Sequence, residues 1–302
     1  GFTGTPLFEE NGVKGKVNKK SEVINTTTKL FGPELHRYTI EEAIADGNVL
    51  GFHVDYINTG EFDSYDDLRD QIIKHQKLEH SELGDRDIER SVQGLSDLEV
   101  EREALEEGIL IYQDQTHIPG VVTEILDGWE QFNGILTVAY KERVIAYYKE
   151  FKKQLAKRDE KINVAMTFSF GNENDPDNVA SQTIAEMFTD YGAFTGLHFE
   201  AGNQMHGEDA YFEDLTERAK RGGSGRNQKN IDLIIVADQL LTGYDSKRLN
   251  TLYVDRFLAL QGLIQAYSRT NRVFGSTKEF GTIINFQFPK ITEEIVNTAL
   301  EL

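Results

Sequence analysis

The near-continuous apolar run at residues 231–237, interrupted only by Asp232, does most to restrict the fold. A strand apolar on both sides has to be covered on both faces, which is the condition of a parallel sheet. Around this run the chain alternates. Strands are predicted at 162–170, 251–255 and 280–286, with a short one at 194–200. Helices are predicted at 178–191, 259–271 and 292–300. This order predicts an α/β fold over residues 162–302, a parallel sheet with helices on both faces.

The preceding chain divides in two. Residues 1–58 open with the loop Gly1-Phe2-Thr3-Gly4-Thr5-Pro6. A helix is predicted at 39–46, because Thr39 and Glu42 have capping-box spacing and Gly47 can end it. A strand at 49–57 follows. Residues 59–161 form a largely helical, charged insertion or linker. Between Glu61 and Glu107 stand sixteen acidic and six basic side chains, a balance of −10 within a chain of −19. The clearest helix there is 139–157, with Val144, Ile145, Tyr148, Phe151 and Leu155 near helical spacing. All five prolines fall at predicted element boundaries.

Charge and composition narrow the function. A chain of −19 is no general nucleic-acid coat, since phosphate binding needs clustered cations. No apolar run is long enough to span a bilayer, and no secretory leader opens the chain. The lack of cysteine excludes disulfides and thiolate metal sites and is compatible with the cytoplasm. The seven histidines, His117 among them, lack metal-ligand spacing. Trp129 and Phe132 fit core or interface. Residues 218–229, rich in glycine and cations, fit a solvent loop.

Two motifs carry chemistry. In Gln265-Ala266-Tyr267-Ser268-Arg269-Thr270-Asn271-Arg272, a helix would place Gln265, Ser268, Arg269 and Arg272 on one face. Two guanidiniums there suit a polyphosphate, each with a planar donor fork. Thr242-Gly243-Tyr244-Asp245 lies just beyond the 231–237 strand, and ligands of open α/β sheets gather outside the carboxyl ends of strands. Gly243 allows close backbone approach, and Asp245 can accept from a ribose or an arginine. Taken singly, the first is equally a solvated helix face and the second an ordinary turn.

In order, Thr3-Gly4-Thr5-Pro6, Thr167-Phe168-Ser169, Thr242–Asp245 and Gln265–Arg272 resemble motifs III to VI of superfamily 2 helicases and translocases, with Ser268 where many relatives have glycine. Within that group, residues 38–52 and 240–255 resemble the R subunit of type I restriction enzymes. The resemblance implies a second RecA-like motor domain at 162–302, preceded at 1–58 by the end of the first motor domain and the start of the second. It implies ATP between the two domains, with Arg269 and Arg272 at the γ-phosphate and Gln265, Gly243 and Asp245 at the nucleotide edge. Thr242 and Ser169 are implied at the DNA backbone, and Thr3, Gly4 and Thr5 in coupling to domain movement. Double-stranded DNA and the modification and specificity subunits are the implied partners.

Neither a phosphate loop nor an Asp-Glu box for Mg²⁺ is present; Gly12-Val13-Lys14-Gly15-Lys16 lacks the spacing and the hydroxyl. The nuclease carboxylates of the family are missing too. The chain is therefore expected to be an excerpt of a longer subunit, inactive alone, with the main ATP and Mg²⁺ residues upstream. The alternatives are a non-catalytic RecA-like docking module, or another superfamily 2 motor such as a type III restriction ATPase.

Overall fold

The computed structural model describes residues 16–17, 23–33, 36, 38–79, 84–129, 132–159, 161–168, 179–200, 207–221, 229–258 and 260–301. Two short strands, β1 (Lys16–Val17) and β2 (Val23–Ile24), pair antiparallel. Helix α1 (Thr27–Phe31) is capped by Thr26. Helix α2 (Ile40–Ala45) carries the expected capping box: the Glu42 N–H donates to Thr39 Oγ1, and the Thr39 N–H donates to the Glu42 carboxylate. β3 (Phe52–Tyr56) follows, then α3 (Tyr65–Glu79), α4 (Asp85–Gln93), α5 (Asp97–Glu106) and α6 (Asp114–Asp127). The remainder runs β4 (Asn133–Val138), α7 (Lys141–Leu155), β5 (Val164–Thr167), α8 (Val179–Thr195), α9 (Glu208–Arg221), β6 (Leu233–Val236), β7 (Leu249–Asp255), α10 (Leu260–Tyr267), β8 (Gly281–Asn285) and α11 (Pro289–Glu301).

Six strands make one all-parallel sheet in the order β3-β8-β7-β4-β6-β5. The α/β class is as expected, but the sheet does not begin at residue 162. Strand β4, inside the stretch whose composition predicts a helical insertion, pairs with both β6 and β7 and is buried at every position. Burying Ile135, Leu136 and Val138 in the main core contributes about 1.5–3 kcal/mol each. β3, from the first segment, forms one edge. Three further expectations change. Residues 197–200 have no regular structure, so the short strand at 194–200 is absent; Phe194 and Thr195 end α8. Pro119 lies inside α6 rather than at a boundary. Its carbonyl accepts from Thr123 Oγ1 and from Gln154 Nε2, which ties this turn of α6 to α7. The helix expected at 259–271 ends at Tyr267.

The acidic stretch folds around its own small core. Leu68, Ile72 and Ile73 of α3 meet Ile88, Val92, Val100 and Ala104 from α4 and α5. Arg69 joins α3 to α5 through Asp97 and the Leu95 carbonyl. Two buried carboxylates lie where this unit meets the rest of the fold. Glu101 accepts from the Ile291 N–H in the first turn of α11, a charge-assisted bond at the positive end of a helix. Asp255, at the end of β7, accepts from His117 Nε2 (2.6 Å), Tyr147 Oη (2.5 Å) and Gln287 Nε2 (2.7 Å), and pairs with Arg143. The other ring nitrogen of His117 lies 2.5 Å from Glu61, and Thr59 Oγ1 donates to the same carboxylate.

His117 has no exposed surface. Burial alone would lower its pKa, but hydrogen bonds to Asp255 and Glu61, and their charges, hold it up at about 9. Its imidazolium in turn keeps Glu61, which burial pushes upward, below the ordinary carboxylate range. A folded-state pKa raised from 6.5 to about 9 gives stability that is complete below pH 6.5 and lost as pH rises to about 9. The full effect is on the order of 3 kcal/mol. Denaturant midpoints measured across that window should fall with pH in the wild type and fall less in His117→Gln. Because the two proteins are compared as a difference, titrating groups away from His117 cancel. Equal slopes would mean that His117 is neutral in the fold.

Candidate functional site

The loop after β6 determines where the predicted site residues meet. Residues 237–239 still belong to the carboxyl edge of the sheet. The Ala237 carbonyl accepts from Thr137 Oγ1 and from the Arg256 guanidinium, which also pairs with Asp238, and Thr167 Oγ1 donates to Gln239. The chain then returns across the sheet to the amino end of β7 without forming a helix. Leu240, Leu241 and Tyr244 are buried along the way, and Leu240 adopts φ 66°. A non-glycine residue there costs roughly 1–2 kcal/mol, which burial of its side chain offsets. Gly243, at φ 76°, is the position where the turn requires glycine.

Tyr244 and Asp245 therefore lie at the amino edge of the strands, opposite the edge expected from the general rule for open sheets. The same edge receives the end of α10. Arg269 Nη1 donates to the Tyr244 carbonyl at 3.0 Å, and Nε donates back to the Gln265 carbonyl at 3.1 Å. Arg272 Nε donates to Asp245 Oδ1 at 3.1 Å. The structure thus brings Arg269, Arg272, Gln265 and Asp245 together. It does not keep them on one helix. The Arg269 and Thr270 N–H groups bond to Ala266 and Tyr267, the tighter three-residue pattern, and the Asn271 carbonyl accepts from the Leu50 N–H. That capture, just ahead of β3, pulls the chain out of the helix. Arg272 reaches Asp245 from an extended segment.

Burial and then the charge of Arg272 lower the Arg269 pKa from its ordinary value, against the pull of Asp245. Arg272 is 42% exposed, so its pair with Asp245 contributes only about 0–1 kcal/mol. Its Nη nitrogens carry no hydrogen bond among the described residues. Thr242 and Gly243 are exposed in the same loop. Thr3, Gly4, Thr5 and Ser169 lie outside the described residues.

Sequence reasoning missed Lys278. Its ammonium is buried, donates to the Leu249 carbonyl at 2.6 Å, and has its pKa lowered to about 8 by burial and by Arg272. No periodicity marks it; only the fold does. Strand β4 had a signal, the apolar run from Ile135 to Val138, which the surrounding charge obscured. Among the described residues no group of acidic or histidine side chains could hold a metal.

Gly281 clamps the arginine turn. A Cβ there would stand 2.3 Å from Thr270 Oγ1 and 2.9 Å from the Thr270 carbonyl carbon. Gly281→Ala should cost about 1–3 kcal/mol by overpacking and loosen residues 268–272. Denaturant midpoints and amide exchange check this; an unchanged midpoint with unchanged exchange would show the turn to be free of that contact.

Comparison with known proteins gives this geometry a family. The family model "Type I restriction enzyme subunit R domain 3" matches residues 130–288, and the "SWI2/SNF2 ATPase" model matches residues 1–84. The chain is 34% identical over 292 residues to the type I restriction enzyme SauMRSORF196P endonuclease subunit of Staphylococcus aureus, covering 95% of this chain and 27% of that subunit. It is 35% identical over 296 residues to the SsaAORF53P endonuclease subunit of Staphylococcus saprophyticus, again 95% of this chain and 27% of the other. Among solved structures, a fragment of a type I restriction enzyme HsdR subunit from Vibrio vulnificus aligns over 94% of this chain and 38% of that one, with 11% identity and a TM-score of 0.47. The restriction-modification enzyme LlaBIII bound to DNA aligns over 98% and 17%, with 12% identity and a TM-score of 0.44. The chain spans about a quarter of the length of the curated relatives it matches. With domain 3 of the R subunit matched over more than half its length, the chain belongs to the R subunit family of type I restriction enzymes.

Proposed function

We propose that this chain is the arginine-bearing half of the ATP cleft in the motor of a DNA-translocating restriction subunit. The observation that carries the proposal is the convergence of Arg269 and Arg272 on the Tyr244–Asp245 loop at one edge of the sheet. The two guanidiniums have different situations. Arg269 is held by two backbone carbonyls, which suits a donor fixed before reaction. Arg272 is exposed and tied only by a weak ion pair, which suits a group that can swing toward an incoming phosphate.

ATP supplies the transferable γ-phosphoryl group. Arg269 and Arg272 would stabilise its developing charge, Gln265 would orient the nucleotide, and Gly243 and Asp245 would border it. Mg²⁺ fits poorly with the groups present, and we assign its ligands and the phosphate loop to the preceding motor domain. Thr242 and Ser169 are assigned to the DNA backbone, and Thr3, Gly4 and Thr5 to coupling. In this reading the full subunit is an ATP-dependent translocase and endonuclease. It acts on double-stranded DNA beside modification and specificity subunits, in the cytoplasm. No helix among the described residues is long and apolar enough to cross a membrane.

A docking module is the second reading, favoured by the separate core of the acidic helices. The upstream sequence of the parent gene discriminates: a phosphate loop and Asp-Glu box support the motor. In the full-length subunit, Arg269→Ala should reduce DNA-dependent ATP turnover by about 10³-fold or more while the protein stays folded. Arg269→Lys, which keeps charge but loses the planar fork, should restore only part. Wild-type turnover in Arg269→Ala would refute the assignment.

A further inference from the structure

The helical unit meets the rest of the fold at the end of β7 and at the start of α11, while the arginine turn is held at the other edge by Leu50 and the Tyr244 carbonyl. Asp255 ends β7, and the next residue, Arg256, donates to the carbonyls of Val138 and Ala237. Residues 257–258 then lead toward α10, and Arg269 stands in the turn just beyond its far end. Glu101 fixes the first turn of α11 through the Ile291 N–H, and α11 packs along α10. Tyr112 of the same unit accepts from the Phe288 N–H at 2.6 Å, one residue before α11. The end of β7, from which the chain runs on toward α10, and the helix beside α10 thus both take bonds from groups of residues 61–117.

One side chain concentrates this linkage. His117 bridges Glu61, in the segment after β3, to Asp255, at the end of β7. The charged and titratable groups around it come from every element packed there. Arg143 and Tyr147 of α7 face Asp255, and Asp114 of α6 pairs with Arg143. Nothing in this cluster opens onto the arginine site, so it has no direct part in chemistry. Apart from the half-exposed Asp114, its members are nonetheless buried and closely spaced. A side chain that only filled space would not require two carboxylates to be buried with it, a costly arrangement unless every charge is compensated.

We propose that the helical unit α3–α5 is a lever on the arginine turn, with His117, on the core-packed α6, as the positioning residue that ties Glu61 at the root of the unit to β7. The proposal rests on the assignment of Arg269 to ATP turnover. Movement of the helical unit, imposed by whatever binds its exposed acidic surface, is transmitted through Asp255 and α10 to Arg269 on the opposite edge.

The test uses the full-length subunit in its assembled enzyme, with His117→Gln, which keeps one amide donor, His117→Leu, which keeps none, and Arg269→Ala in parallel. His117→Leu should lower kcat for DNA-dependent ATP hydrolysis by about tenfold or more, with KM for ATP within about twofold. Amide exchange should rise through residues 256–272 while β4 and β7 stay protected, and His117→Gln should recover part of both. A folded His117→Leu enzyme with wild-type kcat would overturn the lever. So would a loss of turnover accompanied by lost protection of β4 and β7, because His117 would then serve stability alone. If Arg269→Ala itself keeps wild-type turnover, the site assignment fails, whatever His117 does.

Discussion

The Asp255 carboxylate, with no exposed surface at the end of a central strand, is the interaction on which the arrangement depends. A buried carboxylate without partners would be protonated or would destabilise the fold by several kcal/mol. Here His117, Tyr147, Gln287 and Arg143 surround it, drawn from α6, α7 and the segment after β8. α6 and α7 already meet through the main apolar core, and the carboxylate fixes how they sit against the end of β7. The acidic helices share little apolar surface with the main sheet, since their own core is separate. Their attachment combines the packing of Phe288 on Tyr112 with the directional, charge-assisted bond of Glu101, which tolerates little displacement.

The second constraint is the route of residues 237–248. A helix in that crossover would have kept the glycine loop at the carboxyl edge, whose strand ends are already closed by Thr137, Thr167 and Arg256. Instead Leu240, Leu241 and Tyr244 are buried in succession, and the loop is delivered to the amino end of β7. The arginine turn arrives there for an independent reason, the bond from the Leu50 N–H to the Asn271 carbonyl. Two unrelated chain reversals therefore build one cationic site.

Legibility in the sequence follows the range of the forces involved. Helix α2 was readable because Thr39, Glu42 and Gly47 act within a few residues. Strands β6, β7 and β8 were readable from their apolar runs, as burial on both faces demands. β4 carries the same signal but includes Asn133, Gly134 and Thr137 and follows a long charged stretch, so composition outweighed pattern. Gly134 is needed there because the Tyr253 ring would press on a Cβ at 3.0 Å, a cross-strand fact with no local trace. The pairing of Arg272 with Asp245 was legible in motif order, but the end of α10 was not, because its cause lies at Leu50. His117 was passed over for the same reason: its partners stand 56 and 138 residues away along the chain.

This geometry also resolves a conflict in the charges. A chain of −19 looks unsuited to a polyphosphate, and the acid of residues 61–107 looks worst of all. Yet the helical unit is attached at the carboxyl ends of the strands, through Asp255 and Glu101. The arginines and Lys278 gather at the amino ends. Between the two edges run the seven residues of β7, a span of about 20 Å at roughly 3.3 Å per residue. Exposed charges at physiological salt are screened over about 8 Å, so most of the acid lies beyond the distance at which it could repel a phosphate. Net charge therefore says little about this site. What counts is the local balance at the amino edge, where Arg269, Arg272 and Lys278 face Asp245, and that balance is positive.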